Sequence, residues 1–126
     1  MELKKINSKR LARLPAFCHA VSAGDFIFVS GTIGTKPDSM DLVEGGIKPE
    51  TKQALRNIEI ILSECGASFN KLVKVNVFLS DMKNFQAMNE AYLEVLGPDV
   101  PARITVGRAQ LALDAAVKID AIAYMP

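Results

Sequence analysis

The spacing of apolar residues switches repeatedly between a period suited to strands and one suited to helices, and the order of those switches leaves few architectures open. Residues 26–34, FIFVSGTIG, form an almost unbroken apolar run that closes on Ser30-Gly31 and again on Gly34. Such a run reads as a buried strand ending where backbone is left accessible. The upstream FCHAVSAGD ends in a turn signal, so the two stretches predict a hairpin. From Pro49 the period lengthens. Leu55, Ile58, Leu62 and Cys65 recur at helical spacing, Pro49 suits a first helical position, and Gly66 suits a C-terminal cap, so residues 49–65 are expected to be helical. In LVKVNVFLS, Val73, Val75, Val77 and Leu79 alternate with Lys74 and Asn76, the pattern of a strand with one drier face. A second helix is expected after Asp81 or Asn84, with Phe85, Met88, Tyr92 and Val95 or Leu96 on its stripe and Gly97-Pro98 as its stop. Two final strands, residues 103–111 and 115–124, are expected to turn back on each other near Asp114.

This order predicts an α+β fold: one mixed β-sheet with two helices on one face, since each amphipathic helix needs a sheet face on which to bury its stripe. At 126 residues the chain reads as one domain, residues 1–126. No segment remains to cover the other face of the sheet. With 49% of residues hydrophobic, self-association through that open face is the expectation.

Formal charge is +1, which lacks the basic field that non-specific nucleic-acid binding needs. Lys4, Lys5, Lys9, Arg10 and Arg13 face only Glu2 near the start, and read as a solvated strand and loop in preference to a polyanion arm or a targeting peptide. No apolar run is long enough for a signal sequence or a membrane span, so the expected location is the cytoplasm. Cys18 and Cys65 are expected as reduced thiols. The single histidine, His19, makes no familiar zinc spacing with them, and no HExxH or CxxC occurs, so metal chemistry is not expected.

One short stretch resists a purely structural reading. PARITV, residues 101–106, begins a strand yet places Arg103 where burial is about to start. Taken alone, this arginine is solvated or paired with Asp99 or Asp120. A guanidinium is also a permanent charge with a planar fork of donors, suited to gripping a carboxylate.

The segments AVSAGDFIFVSGTIG, LVEGGIKPETKQALRNIEIIL, LVKVNVFLSDMKNF with MNEAY, and VPARITV ending in KIDAIA resemble the YjgF/RidA family of reactive intermediate deaminases along nearly the whole chain. The resemblance implies a chorismate-mutase-like fold assembled as a homotrimer, with a central barrel and clefts between subunits. It implies hydrolysis of 2-imino acids and their enamine tautomers to 2-keto acids and ammonia, without a cofactor. By the same match Arg103 holds the substrate carboxylate, Ser30 and Gly31 lie beside the ligand, and Thr105 lies near the bound carboxylate. RNA cleavage, a label some members carry, fits poorly with near-neutral charge and no paired acid and base.

Two positions depart from the family pattern. Phe17 stands where many deaminating members have a tyrosine, and can still supply an apolar wall or pack in the core. Lys118 stands where they have the first glutamate of a Glu-Ile-Glu-Ala-Ile-Ala stretch, the one usually assigned to positioning the hydrolytic water, while Asp120 matches the second. Three roles stay open for Lys118: a solvated or Asp-paired strand lysine, a second cation that favours a dianionic ligand, or an uncharged amine serving as base or nucleophile. On the expected final hairpin, Arg103 lies opposite residue 123 or 124 and Lys118 near Arg108. Loss of the glutamate also admits a small-carboxylate-binding or regulatory protein without hydrolysis.

Overall fold

The computed structural model describes residues 3–126; Glu2, counted above against the N-terminal cations, lies outside them. Six strands, β1 (Leu3–Ile6), β2 (Ala20–Ala23), β3 (Phe26–Thr32), β4 (Leu72–Leu79), β5 (Ala102–Val106) and β6 (Val117–Tyr124), form one sheet in the order β1-β2-β3-β6-β4-β5. All neighbours are antiparallel except β4 and β5, which run parallel. Helices α1 (Ile47–Glu64) and α2 (Phe85–Leu96) pack on one face.

Helix α1 starts two residues earlier than the proline signal implied, at Ile47 after Gly46, so Pro49 occupies the third helical position. Proline is tolerated there because the first-turn amides have no intrahelical acceptor. The far end follows the glycine signal: Gly66 takes φ 74°, its amide donates to Ser63 O and that of Ala67 to Leu62 O, a Schellman closure. Leu55, Ile58 and Leu62 are buried against Val75, Val77, Ile119 and Ala121 of the sheet. Each such burial contributes about 1.5–3 kcal/mol. Helix α2 ends as expected at Gly97, φ 79°, and buries Met88 and Tyr92. Lys48–Glu90 at 3.7 Å and Lys52–Glu94 at 2.5 Å tie the two helices together at the surface.

Two expectations are corrected. Val73 is 43% exposed, because a register shift between Leu72 and Lys74 turns it off the dry face that Val75, Val77 and Leu79 share. The final hairpin does not form: β5 pairs in parallel with β4, and β6 inserts between β3 and β4. A strand, a helix and a strand in succession favour a parallel pair, since the helix carries the chain back to the starting edge. Residues 107–116 then round the end of β4, where Ala109 N donates to Leu79 O and Ser80 N to Ala116 O.

The sheet face away from the helices is uncovered. Phe26, Phe28, Ile104, Val106 and Tyr124, each between 41% and 52% exposed, project from it, with the Phe26 and Tyr124 ring centroids 5.1 Å apart. Among the described residues no helix is long and apolar enough to cross a membrane, and no cluster of three or more His, Cys, Asp or Glu is placed to hold a metal ion. Cys18 and Cys65 are free thiols.

Candidate active site

The end of β3 carries the first group of expected site residues. Between Val29 and Thr32 the pairing with β6 slips, so that Ser30 and Gly31 face Asp120 alone, a β-bulge that takes their backbone out of the regular ladder. Ser30 is tied across to the preceding loop: its amide donates to His19 O at 2.9 Å and its hydroxyl to Cys18 O at 2.6 Å. Phe17, Ser30 and Gly31 line one pocket with Arg13, Thr32 and Asn57. Phe17 is 41% exposed, so it is a wall of this pocket and not a core residue. Lys118 crosses Gly31 so closely that a β-carbon there would sit 2.5 Å from Lys118 Cε. Four of the six expected residues are thus brought together.

The loop that walls this pocket, residues 7–19, has no strand or helix of its own and hangs on His19. His19 is buried, and its Nδ1 accepts the Ser8 amide at 2.9 Å. That leaves the ring hydrogen on Nε2, which lies 3.2 Å from Ala12 O as its acceptor. Both ring nitrogens thus have a partner in the loop that the ring holds. Asn7 Oδ1 accepts the His19 amide and Ser8 Oγ donates to Glu64 Oε1, anchoring the loop to α1. Sequence reasoning weighed His19 as a metal ligand; its place between a turn-rich loop and an apolar strand was the available signal for a pin.

Arg103 and Thr105 form the second group, on edge strand β5. Arg103 is level with Val75 and Thr105 with Val77, so both side chains share the helix-covered face. The Arg103 guanidinium carbon lies 4.9 Å from the Tyr92 ring centroid and 5.8 Å from that of Phe85, and Nη1 approaches Met88 Sδ at 3.9 Å. Phe85, Met88 and Tyr92, on one face of α2, thus surround the cation, an arrangement worth about 0.5–2 kcal/mol per ring contact. Burial pushes the Tyr92 phenol up from its ordinary value, with the Arg103 charge pulling the other way.

The two groups lie apart within one chain. Arg103 is level with Val75 and Lys118 with Phe78, on the two flanks of β4 and on opposite faces of the sheet. From strand spacing and rise their backbones are roughly 14 Å apart. Neither the pairing of Arg103 with residue 123 or 124 nor that of Lys118 with Arg108 occurs, because no final hairpin exists. Among the described residues neither cation has an ion-pair partner. Asp120, weighed above as a partner for Arg103, instead accepts from Asn76 Nδ2 at 2.8 Å.

Comparison with known proteins agrees with this fold and extends it. A family described as endoribonuclease L-PSP matches residues 7–125. The chain is 44% identical over 108 residues to a RutC family protein of Pyrococcus abyssi, covering 86% of this chain and 85% of that protein. It is 39% identical over 116 residues to the mouse 2-iminobutanoate/2-iminopropanoate deaminase, covering 92% of this chain and 86% of that one. The crystal structure of yeast Mmf1 superposes with a TM-score of 0.93 at 35% identity, over 99% of this chain and 100% of that one. RidA from a Psychrobacter species superposes with a TM-score of 0.90 at 34% identity, over 97% and 99%. With its six-stranded sheet, its two helices on one face and a match running from residue 7 to residue 125, this chain belongs to the YjgF/RidA family.

Proposed function

We propose that the chain hydrolyses small 2-imino and enamine carboxylates to 2-keto acids and ammonia, in a cleft between copies of itself in a homotrimer. Arg103 and Thr105 of one copy face Phe17, Ser30 and Gly31 of the next. The observation that carries this reading is the state of Arg103: partly buried, placed over the Phe85 and Tyr92 rings of α2, and without a carboxylate partner among the described residues. A cation so fixed is prepared for an anion supplied by a ligand. The exposed aromatic and aliphatic face of the sheet supports assembly, since a patch of that kind marks an interface. Relatives named 2-iminobutanoate/2-iminopropanoate deaminase support the reaction class.

In this reaction an enamine first tautomerises to the imine. Water adds across the C=N bond to give a carbinolamine; the C–N bond then breaks, ammonia leaves, and the hydroxyl loses its proton as the C=O bond forms. Carbon keeps its oxidation level throughout. The protein's contribution is to fix the carboxylate on Arg103 and hold the imine carbon beside the Ser30-Gly31 bulge, where backbone groups can orient the attacking water. Positioning and fixed dipoles of this kind accelerate reactions without a dedicated base. The test generates 2-iminobutanoate in situ with a dehydratase and follows keto-acid release. Acceleration by the wild-type chain and its loss in Arg103→Ala is the expected result; acceleration that survives Arg103→Ala overturns the carboxylate grip.

Lys118 favours a second reading, a carboxylate-binding protein without hydrolysis, because a lysine side chain lies across Gly31 where the family pattern has a glutamate. No acceleration by the wild-type chain, but acceleration by a variant combining Phe17→Tyr with Lys118→Glu, selects that reading.

A further inference from the structure

Lys118 is the cation that the hydrolytic reaction does not use. Its aliphatic chain lies along Gly31, with Cδ 3.4 Å and Cγ 3.5 Å from where a β-carbon would stand, so the side chain is laid across the bulge instead of extending into solvent. It is partly buried, and among the described residues it has no carboxylate partner. The acid nearest along its strand, Asp120, is taken up by Asn76. A partly buried lysine without a carboxylate partner among the described residues, laid across the bulge that lines a pocket, calls for an anionic group from the ligand.

Arg103 is in the same condition, but the two cations of one chain are on opposite faces of the sheet and too far apart for one small molecule to reach both. They can meet on one ligand only if Lys118 of one copy faces Arg103 of another. We propose that this cleft prefers a dicarboxylate substrate, a 2-imino acid with a second carboxylate at the end of a short side chain. The α-carboxylate sits on Arg103, whose planar fork suits bidentate capture, and the terminal carboxylate sits on the point charge of Lys118. The preference rests on the deaminase reading proposed above, and it supplies a reason for lysine at this position that hydrolysis alone does not.

The test compares 2-iminoglutarate with 2-iminobutanoate, each generated in situ, in the wild-type chain and in Lys118→Met, which keeps the length and loses the charge. Equilibrium binding of 2-ketoglutarate and 2-ketobutanoate is measured alongside, and does not depend on turnover. The expected result is a dianion-to-monoanion ratio above one in both measurements for wild type, falling about fivefold in Lys118→Met, the scale of one partly exposed ion pair. Lys118→Arg keeps the ratio above one. A ratio equal in wild type and Lys118→Met overturns the inference while leaving the deaminase reading intact. If Arg103→Ala binds and turns over both ligands like wild type, the underlying reading fails instead.

Discussion

Lys118 lies across Gly31, and the space a β-carbon would need at Gly31 is taken by Lys118 Cε at 2.5 Å. The glycine is what lets a cation cross the β3 bulge at this depth. The blocking atom is near the far end of a flexible side chain, so an added methyl displaces the lysine without breaking the fold.

Gly31→Ala is accordingly expected to change stability by less than about 1 kcal/mol while altering ligand preference. Gly34→Ala is the contrast. There a β-carbon would meet Glu50 O at 2.5 Å and Glu50 Cα at 2.8 Å, backbone atoms of α1 that cannot swing away. Its expected cost is about 1–3 kcal/mol. Denaturant unfolding of both variants checks the ordering, and equal costs would show that neither contact is as drawn.

Arg103→Lys keeps the charge but loses the planar fork and the stacking on Tyr92. The expected outcome is a fall in kcat/KM of about 10- to 100-fold, the loss of one charge-assisted bidentate contact. Steady-state kinetics on 2-iminobutanoate decides it; full activity in the lysine variant means that charge alone suffices.

His19→Ala removes the acceptor for the Ser8 amide and the donor to Ala12 O in a buried setting. Stability is expected to fall by about 2 kcal/mol. Hydrogen exchange should rise first in residues 7–19, the pocket wall, before the sheet opens. Unchanged protection there would deny His19 its pinning role.

Tyr92 carries the pH prediction. Burial raises its phenol above the ordinary value, so folding favours the protonated form. The resulting stability is fully present below the ordinary phenol value of about 10 and is lost as pH rises through the folded-state value. Its hydroxyl makes no hydrogen bond of good geometry among the described residues, Arg103 being the one polar side chain that acts on it, so Tyr92→Phe is expected to be close to neutral at pH 7. Melting curves of wild type and Tyr92→Phe should therefore separate above about pH 10, where the wild type loses stability faster. Parallel curves would contradict the burial of the phenol.

Local pattern carried most of the fold. The alternation in Val75, Val77 and Leu79 marked β4, and helical spacing with Gly66 and Gly97 marked both helices and their ends, because those signals lie within single elements. Where β6 pairs was not legible, since strand order is settled by how α2 returns the chain and not by anything within residues 102–124. Val73 was misplaced for a related reason: a bulge between Leu72 and Lys74 breaks the two-residue period without a glycine to announce it. Within the candidate site, the grouping of Ser30, Gly31 and Phe17 was implied by the family resemblance and not by any pattern within residues 17–31 alone. The approach of Lys118 to Gly31 depended on β6 lying beside β3 and was out of reach.

The most direct test of the central claim is subunit complementation. Arg103→Ala disables the β5 side of the proposed cleft, and Gly31→Trp fills the β3 side. If each site is shared between copies, the two inactive variants co-refolded in equal amounts should recover about a quarter of wild-type activity, because that share of the interfaces of a cyclic oligomer joins one intact side to the other. A mixture no more active than either variant alone would contradict a shared site.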